Sequence, residues 1–272
     1  MTITTRDQLI DALANRNSRL VWDKASLANA VAGQLFSLWR ATGVPGQGAI
    51  PAAAALCTSA LTGAMGFANQ TAPVTSYYAW QTIAAGNPAT SVEVHDRLAH
   101  MGGLNGTLLT AQTVGVDLLT LSLPAARRGD ANYSDVQWWL EWYTDTGATA
   151  ANATVNVTYD DASTGNLAAI AVGGTVRASR MIPLVSAVAG RFIRGVNNVT
   201  LSASTGAAGS FGVTATRPRT AVNANIANKY EQFDWAQLGL PEIPNDSCLM
   251  MIMLCSTTST GTVRGQGKIV HG

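Results

Sequence analysis

Hydrophobic and polar residues alternate in short runs over most of the chain beyond residue 70, and turn residues separate these runs. In SDVQWWLEWYTDTG (134–147) and NATVNVTY (152–159), every second residue is apolar, which is typical of a strand with one face on a core. The residues predicted to lie on the core-facing side are Val136, Trp138, Leu140, Trp142, Val155, Val157 and Tyr159. Because no helical period interrupts the runs, they predict a mainly β protein, an antiparallel β-sandwich or barrel-like domain.

Four further segments extend this prediction. VDLLTLSLP (116–124) indicates a strand that ends at Pro124, and residues 191–219 indicate a hairpin around a loop rich in Gly, Ala and Ser. SCLMMIMLCS (247–256) is almost continuously apolar, as expected of a strand buried on both faces. TGTVRGQGKIVHG (260–272) is predicted to be a final strand at the edge of a sheet.

The first fifty residues carry the helical pattern. In SLANAVAGQLFSLWRATG (26–43), one stripe holds apolar residues at helical spacing; these are Leu27, Val31, Leu35 and Leu38. Ser26 is placed to cap the start of this helix and Gly43 to follow its end. A shorter helix is predicted at RDQLIDAL (6–13), with Thr5 as its cap. We therefore expect an N-terminal helical arm and loop at residues 1–50 and a β-rich domain at residues 51–272.

Composition narrows the class of function. Of the 272 residues, 47% are hydrophobic and only 12% are charged, about half the share usual in soluble domains. The net charge of +1 gives no electrostatic reason to expect nucleic acid or an anionic membrane as a partner. No apolar run is long enough to span a bilayer, and the first twenty residues do not resemble a signal peptide. Three cysteines without CxxC spacing are expected to be buried free thiols.

The stretch VEVHDRLAHMGGLNG (92–106) holds the strongest candidates for chemistry. A metal-dependent hydrolase would need Glu93, His95, Asp96 and His100 to converge on one ion. The two histidines are five residues apart, which places them on opposite faces of a strand and far apart around a helix. We therefore predict a structural turn with no metal and no other cofactor, and a protein that is not an enzyme. Glu93 and His95 are expected to share one strand face, and the hydrolase remains an alternative.

Resemblance adds a context that composition does not supply. The segments SLANAVAGQLFSLWRATGVPGQGAIP, VEVHDRLAHMGGLNGT, WWLEWYTDTGATAANATVNVTYDD and GTVRGQGKIVHG resemble proteins encoded with the structural genes of tailed bacteriophages. Within that group the chain is most similar to capsid cement or decoration proteins, which clamp neighbouring major capsid subunits on the outside of the shell. The alternative within the virion is a tail, head–tail joining or host-binding component. A major capsid protein is disfavoured, because its usual fold needs a long spine helix and a mixed α/β layout.

The resemblance implies a location and partners. The protein would assemble in the host bacterial cytoplasm and lie on the capsid exterior, bound to the major capsid protein and to copies of itself as a dimer or trimer. Aromatic and Arg side chains are the usual anchors of such interfaces. The candidate interface residues are Trp22, Trp39, Arg40, Tyr77, Tyr78, Trp80, Trp139, Arg194 and Trp235. The N-terminal arm and NKYEQFDWAQLGLPEIP (228–244) are the predicted docking elements. Trp139 and Tyr143 are expected to meet another layer or a partner, with stacking of sugars or bases as the alternative.

Overall fold

The computed structural model describes residues 3–272 as a mainly β protein with antiparallel sheets and an N-terminal helix, which confirms the predicted fold class. The helices are α1 (Arg6–Asn15), α2 (Ala125–Arg128) and α3 (Trp235–Leu238). The strands are β1 (Asn17–Lys24), β2 (Leu35–Ser37), β3 (Gly43–Val44), β4 (Ala55–Leu56), β5 (Ser76–Ala85), β6 (Thr90–Asn105), β7 (Gln112–Asp117), β8 (Gln137–Trp142), β9 (Asn152–Tyr159), β10 (Thr164–Asn166), β11 (Ile170–Ala171), β12 (Met181–Leu184), β13 (Ile193–Leu201), β14 (Ser210–Ala224), β15 (Glu231–Phe233), β16 (Leu249–Leu254) and β17 (Val263–His271).

The chain forms two compact units. Unit 1 consists of Met1–Ala49, Thr58–Asp96 and Pro218–Gly272, and unit 2 consists of Ile50–Cys57 and Arg97–Arg217. Each unit contains its own cluster of buried apolar side chains. Residues 1–49 thus lie in the same unit as two later segments, and the division into domains at residues 1–50 and 51–272 stays a prediction.

Helix α1 begins where the sequence predicts. The Thr5 hydroxyl accepts a hydrogen bond from the Gln8 backbone N–H, and the Gln8 side chain accepts one from the Thr5 N–H, so two otherwise unpaired donors are satisfied. Leu9 and Ala12 are buried against Val270 and other apolar side chains of unit 1. The predicted short helix and its cap are confirmed.

The longer helix predicted at residues 26–43 is wrong. This segment holds turns and the short strand β2, whose residues pair with β16 from Ile252 to Leu254. The backbone of Gly33 has a positive φ of 77°, and its N–H donates to the carbonyl of Cys255. Of the apolar stripe only Leu38 is buried and Val31 is 39% exposed, because pairing with a distant strand overrides the local helical period.

The last strand lies in the interior of a sheet. In unit 1 the order is β15-β5-β17-β1-β3, so β17 has neighbours on both sides and the predicted edge position is wrong. Its glycines explain why it fits there. A Cβ at Gly265 would lie 2.8 Å from the Trp22 ring, and one at Gly267 would lie 2.7 Å from the Tyr78 hydroxyl. The two glycines leave room for large rings to pack over the strand.

A second set of strands completes unit 1. Strand β16 pairs with β2 on one side and with residues 91–96 of β6 on the other. Every residue of β16 except Leu254 is buried, which confirms the prediction of a strand buried on both faces.

Unit 2 contains the sheet β10-β9-β13-β7, in which β11 also pairs with β9, and the paired strands β12-β8-β14. The predicted core-facing residues of β8 and β9 are buried in one cluster, with Val136 partly buried against it. Trp142 also stacks on Phe211, with ring centroids 4.3 Å apart. The alternation in these two segments therefore identified the core of unit 2.

Two other predictions for unit 2 are wrong. The strand expected at 116–124 ends at Asp117, because the Asp117 carboxylate accepts the N–H of Leu119 and turns the chain. Residues 191–219 do not form a hairpin, because β13 pairs with β7 and β9 whereas the start of β14 pairs with β8. The residues between β13 and β14, which are rich in Gly, Ala and Ser, carry the chain from one set of strands to another.

Lys24 is a buried cation in unit 1. Its ammonium group donates to the carbonyl oxygens of Ala41, Pro45 and Gly46, at 3.2, 2.7 and 3.4 Å. Burial lowers the pKa of Lys24 to about 8, so the group is mainly charged at neutral pH. One side chain thus holds the irregular segment that follows β2.

Replacing Lys24 with Met should lower the free energy of unfolding by about 1–3 kcal/mol, because buried carbonyl oxygens lose their donor. Chemical denaturation at pH 7 measures this loss. The matched control is Lys229→Met at an exposed position, which should change stability by less than about 0.5 kcal/mol. Equal effects of the two substitutions would contradict a structural role for the Lys24 ammonium.

Candidate functional site

The segment with the candidate metal ligands lies in one continuous strand, β6, so the predicted turn is wrong. Residues 91–96 pair with β16, and Ala99 and His100 pair with β4. Of the glycines that suggested a turn, Gly103 has a positive φ of 80°, whereas Gly102 serves a close approach. A Cβ at Gly102 would lie 2.6 Å from the carbonyl oxygen of Pro51.

The four candidate ligands are not brought together. As predicted, Glu93 and His95 share a face, and the His95 Nε2 lies 2.8 Å from a Glu93 carboxylate oxygen. The Asp96 carboxylate accepts the N–H of Cys248 and pairs with Arg219. His100 lies in unit 2, where its Nδ1 accepts a hydrogen bond from Arg97. Among residues 3–272, no group of three or more His, Cys, Asp or Glu side chains is arranged to hold a metal.

The strongest polar cluster is an ion pair inside unit 2. The Arg97 guanidinium lies 2.7 Å from the Glu141 carboxylate, and both side chains are fully buried. The same Glu141 oxygen accepts the hydroxyls of Thr214 at 2.6 Å and Tyr143 at 3.3 Å. Burial alone would lower the pKa of Arg97, but the Glu141 carboxylate opposes this and the net pKa is raised. Burial also raises the pKa of Tyr143, which keeps its hydroxyl protonated.

Arg127, which is also buried, extends this cluster along the backbone. Its guanidinium donates to the carbonyl oxygens of Cys57 at 2.7 Å and Arg97 at 3.0 Å. These groups join β6, α2 and the segment that follows β4. Because the cluster is buried, its ion pair and hydrogen bonds hold the strands in place, and its polar groups are not accessible to a substrate.

Replacing Glu141 with Gln should lower the free energy of unfolding by about 3–5 kcal/mol, because it leaves the Arg97 charge buried without its counter-ion. Denaturant unfolding monitored by tryptophan fluorescence measures the change. Glu242→Gln removes a carboxylate at an exposed position and serves as the control. A loss below about 1 kcal/mol for Glu141→Gln would show that the pair does not support the fold.

Four of the nine candidate interface residues are buried within their own chain, so their expected exposure is corrected. These residues are Trp22, Trp39, Tyr78 and Trp139. The Trp39 ring lies directly over Gly48, where a side chain would collide with it. The Trp139 indole N–H donates to the Thr216 hydroxyl, and Tyr143 beside it is also buried. These large rings pack in the core against glycines, hydroxyls and other buried groups. The sequence alone could not distinguish them from aromatic residues that anchor an interface.

The other five candidates keep some exposure. Arg40, Tyr77, Trp80 and Arg194 are half-buried, and Trp235 is 37% exposed at the start of α3. Arg40 donates to the carbonyl of Gly48, and Arg194 pairs with Asp117. An interface role for these five residues stays a prediction.

A surface that the sequence did not indicate lies at one end of unit 2. Strand β7 ends at Asp117, which is paired with Gly195 near the start of β13. The loops at 118–124 and 185–192 therefore emerge at the same end of this sheet. They expose three apolar side chains to solvent; these are Leu119 (59%), Val185 (71%) and Val188 (47%).

A groove of about 380 Å³ borders the 185–192 loop. Its lining residues are Val136, Gln137, Trp138, Trp139, Pro183, Leu184, Val185, Ser186, Arg191, Phe192 and Ile193. We call this groove, together with Leu119, Val185 and Val188, the loop-end surface. Val136 and Trp138 of its lining were predicted from strand alternation as core-facing residues, whereas the exposed apolar residues of the loops follow no period, so pattern analysis did not detect the surface.

The charges at the loop-end surface are paired, two arginines with three aspartates, which leaves a net charge of −1. Arg191 pairs with Asp160 at 3.4 Å and Asp161 at 2.8 Å, and Arg194 pairs with Asp117 at 2.9 Å. The surface therefore presents apolar side chains with little uncompensated charge. Such a surface suits an apolar, uncharged partner better than an ionic ligand.

Two further expectations concern cysteines and membranes. Cys57, Cys248 and Cys255 are buried thiols outside any disulfide, as predicted, and burial raises the pKa of Cys255 to about 12. Among residues 3–272, none of the helices has the length and hydropathy of a transmembrane span.

No protein-family model and no curated protein matches this chain. Solved structures with a distant similarity are those of VP2 of infectious bursal disease virus. Its subviral particle is 8% identical, with 94% of this chain and 80% of that chain covered and a TM-score of 0.17. Its T=1 particles are 8% identical, with 94% and 78% covered and a TM-score of 0.16. TM-scores this low carry no argument about fold or function.

Proposed function

We propose that this chain is a non-enzymatic structural protein of a tailed-phage virion, a cement or decoration protein bound to the outer surface of the major capsid protein shell. The observation that carries the proposal is the loop-end surface, where Val185 lines a mainly apolar groove and Leu119 and Val188 are exposed in the loops at the same end of the sheet. The resemblance of the quoted segments to phage structural proteins supplies the context.

The energetics of the loop-end surface support adhesion. Burying one large aliphatic side chain contributes up to about 1.5–3 kcal/mol, so three such residues give a modest contact. A shell repeats its surface many times, and a protein that bridges two subunits gains strength from simultaneous contacts. Weak apolar contacts of this kind are therefore sufficient for a protein that stabilises capsomer contacts.

The distribution of charge supports the same role. Only 12% of residues are charged, and the charges of Arg97, Glu141, Lys24 and Asp96 are buried in internal contacts. The ion pairs and hydrogen bonds of these residues stabilise the fold. Together with the segment 228–244, where Trp235 is exposed, the loop-end surface is our proposed contact with the shell and with copies of the protein.

Replacing Val185 with Asp should weaken binding to assembled shells that lack this protein by at least about tenfold, because a charge would enter an apolar contact. Co-sedimentation of purified protein with such shells gives the affinity. The matched control is Leu109→Asp, since Leu109 is 54% exposed in the loop that precedes β7, away from the loop-end surface.

The control substitution should change the affinity by less than about twofold. Equal binding by wild type and Val185→Asp would refute the loop-end surface as the contact. Binding to purified tails but not to shells would instead identify another virion component and contradict the cement proposal.

A further inference from the structure

Three side chains on neighbouring strands meet at one end of the five-stranded sheet in unit 1. His271 of β17 lies between Ser76 of β5 and Ser18 of β1. The distances are 2.9 Å from His271 Nδ1 to Ser76 Oγ and 2.8 Å from His271 Nε2 to Ser18 Oγ. His271 and Ser76 are buried, whereas Ser18 is half-buried.

The hydrogen bonds of this cluster favour a neutral imidazole. A neutral histidine has one ring N–H and one acceptor nitrogen. The buried Ser76 hydroxyl can donate to Nδ1, while the Nε2–H donates to Ser18, whose hydroxyl also accepts the N–H of Ala68. Protonation would turn Nδ1 into a donor, so the buried Ser76 hydroxyl would lose its acceptor. Burial lowers the pKa of His271, which agrees with this geometry.

Helix α1 docks against this end of the sheet. Leu9 and Ala12 of α1 pack in one cluster with Ala79 of β5 and Val270 of β17. The His271 backbone N–H donates to the carbonyl of Arg16, just after the helix. The contacts that hold α1 therefore depend on the pairing of β5 with β17, and the hydrogen bonds of His271 stabilise that pairing.

The elements around the cluster carry charges of both signs, and several of these groups are already paired or hydrogen-bonded. Asp11 and Arg16, on and beside α1, pair with each other, and Lys268 on β17 donates to the carbonyl of Leu13. The Tyr77 hydroxyl on β5 accepts a hydrogen bond from Thr75. The remaining charged groups are Arg19 on β1 and Glu242, which lies opposite Tyr77. The segment 66–75 contributes no charged residue. Within residues 3–272, the hydrogen-bond partners of the His271 ring are the hydroxyls of Ser18 and Ser76.

We propose that His271 is an acid-sensitive latch, whose protonation loosens the β5–β17 end of the sheet and releases helix α1. The folded state favours the neutral form, because the pKa is lowered from its usual 6.5. The stability from this cluster is therefore complete above pH 6.5 and is lost as the pH falls through the lower pKa of the folded state. The docking of helix α1 on the sheet would then depend on pH.

Hydrogen exchange of the full-length protein, expressed as protection factors at pH 7.5 and 5.0, tests the latch. Amides of residues 6–15 and 265–271 should lose protection by at least about fivefold at the lower pH. His271→Gln retains one donor and one acceptor without titrating, so its protection should change by less than about twofold. Ser76→Ala removes the hydroxyl that conflicts with protonation, so it should reduce the dependence on pH even where overall protection is lower.

NMR titration of the His271 ring provides a measurement that does not depend on a variant. The proposal requires a midpoint below that of an exposed histidine, together with acid-induced exchange confined to α1 and the strand ends. A pH-independent protection of α1 in the wild type would overturn the latch. The same loss of protection in His271→Gln would overturn it as well, by assigning the effect to another group.

Discussion

The ion pair between Arg97 and Glu141 is the constraint on which unit 2 depends. Two charges removed from water are tolerable only when each is held by the other and by further hydrogen bonds. Glu141 lies on β8, Thr214 on β14 and Arg97 on β6, so satisfying the pair fixes the positions of three strands. The Trp138 and Trp142 rings on the opposite face of β8 can then pack into a single core.

The same rule governs the ionisable groups of unit 1. Lys24 is held by three carbonyl oxygens, and Asp96 by Arg219 and a backbone N–H. A chain with few charged residues thus uses several of them inside the fold. Most of its other charged residues lie at or near the surface among small polar residues and scattered apolar side chains, some of which are exposed together at the loop-end surface. This arrangement agrees with the proposed adhesive role.

Local alternation was sufficient to predict some elements but not others. Strands β8 and β9 were predictable because burial on one sheet face follows each segment's own alternation, and β16 because its continuous apolar run indicates burial on both faces. The helix expected at 26–43, the hairpin at 191–219 and the edge position of β17 failed because each depends on pairing with a distant strand. The burial of Trp22 was not predictable, because Gly265 and Gly267, which accommodate its ring, are far away in sequence. The loop-end surface was missed because loops have no period.

The central claim is that this protein covers a shell through many repeated weak contacts. Quantitative mass spectrometry of purified virions, calibrated against the major capsid protein, measures its copy number directly. The account predicts on the order of hundreds of copies in each particle, in a fixed ratio to the capsid subunit. About a dozen copies or fewer would place the protein at a tail or a unique vertex and contradict the account.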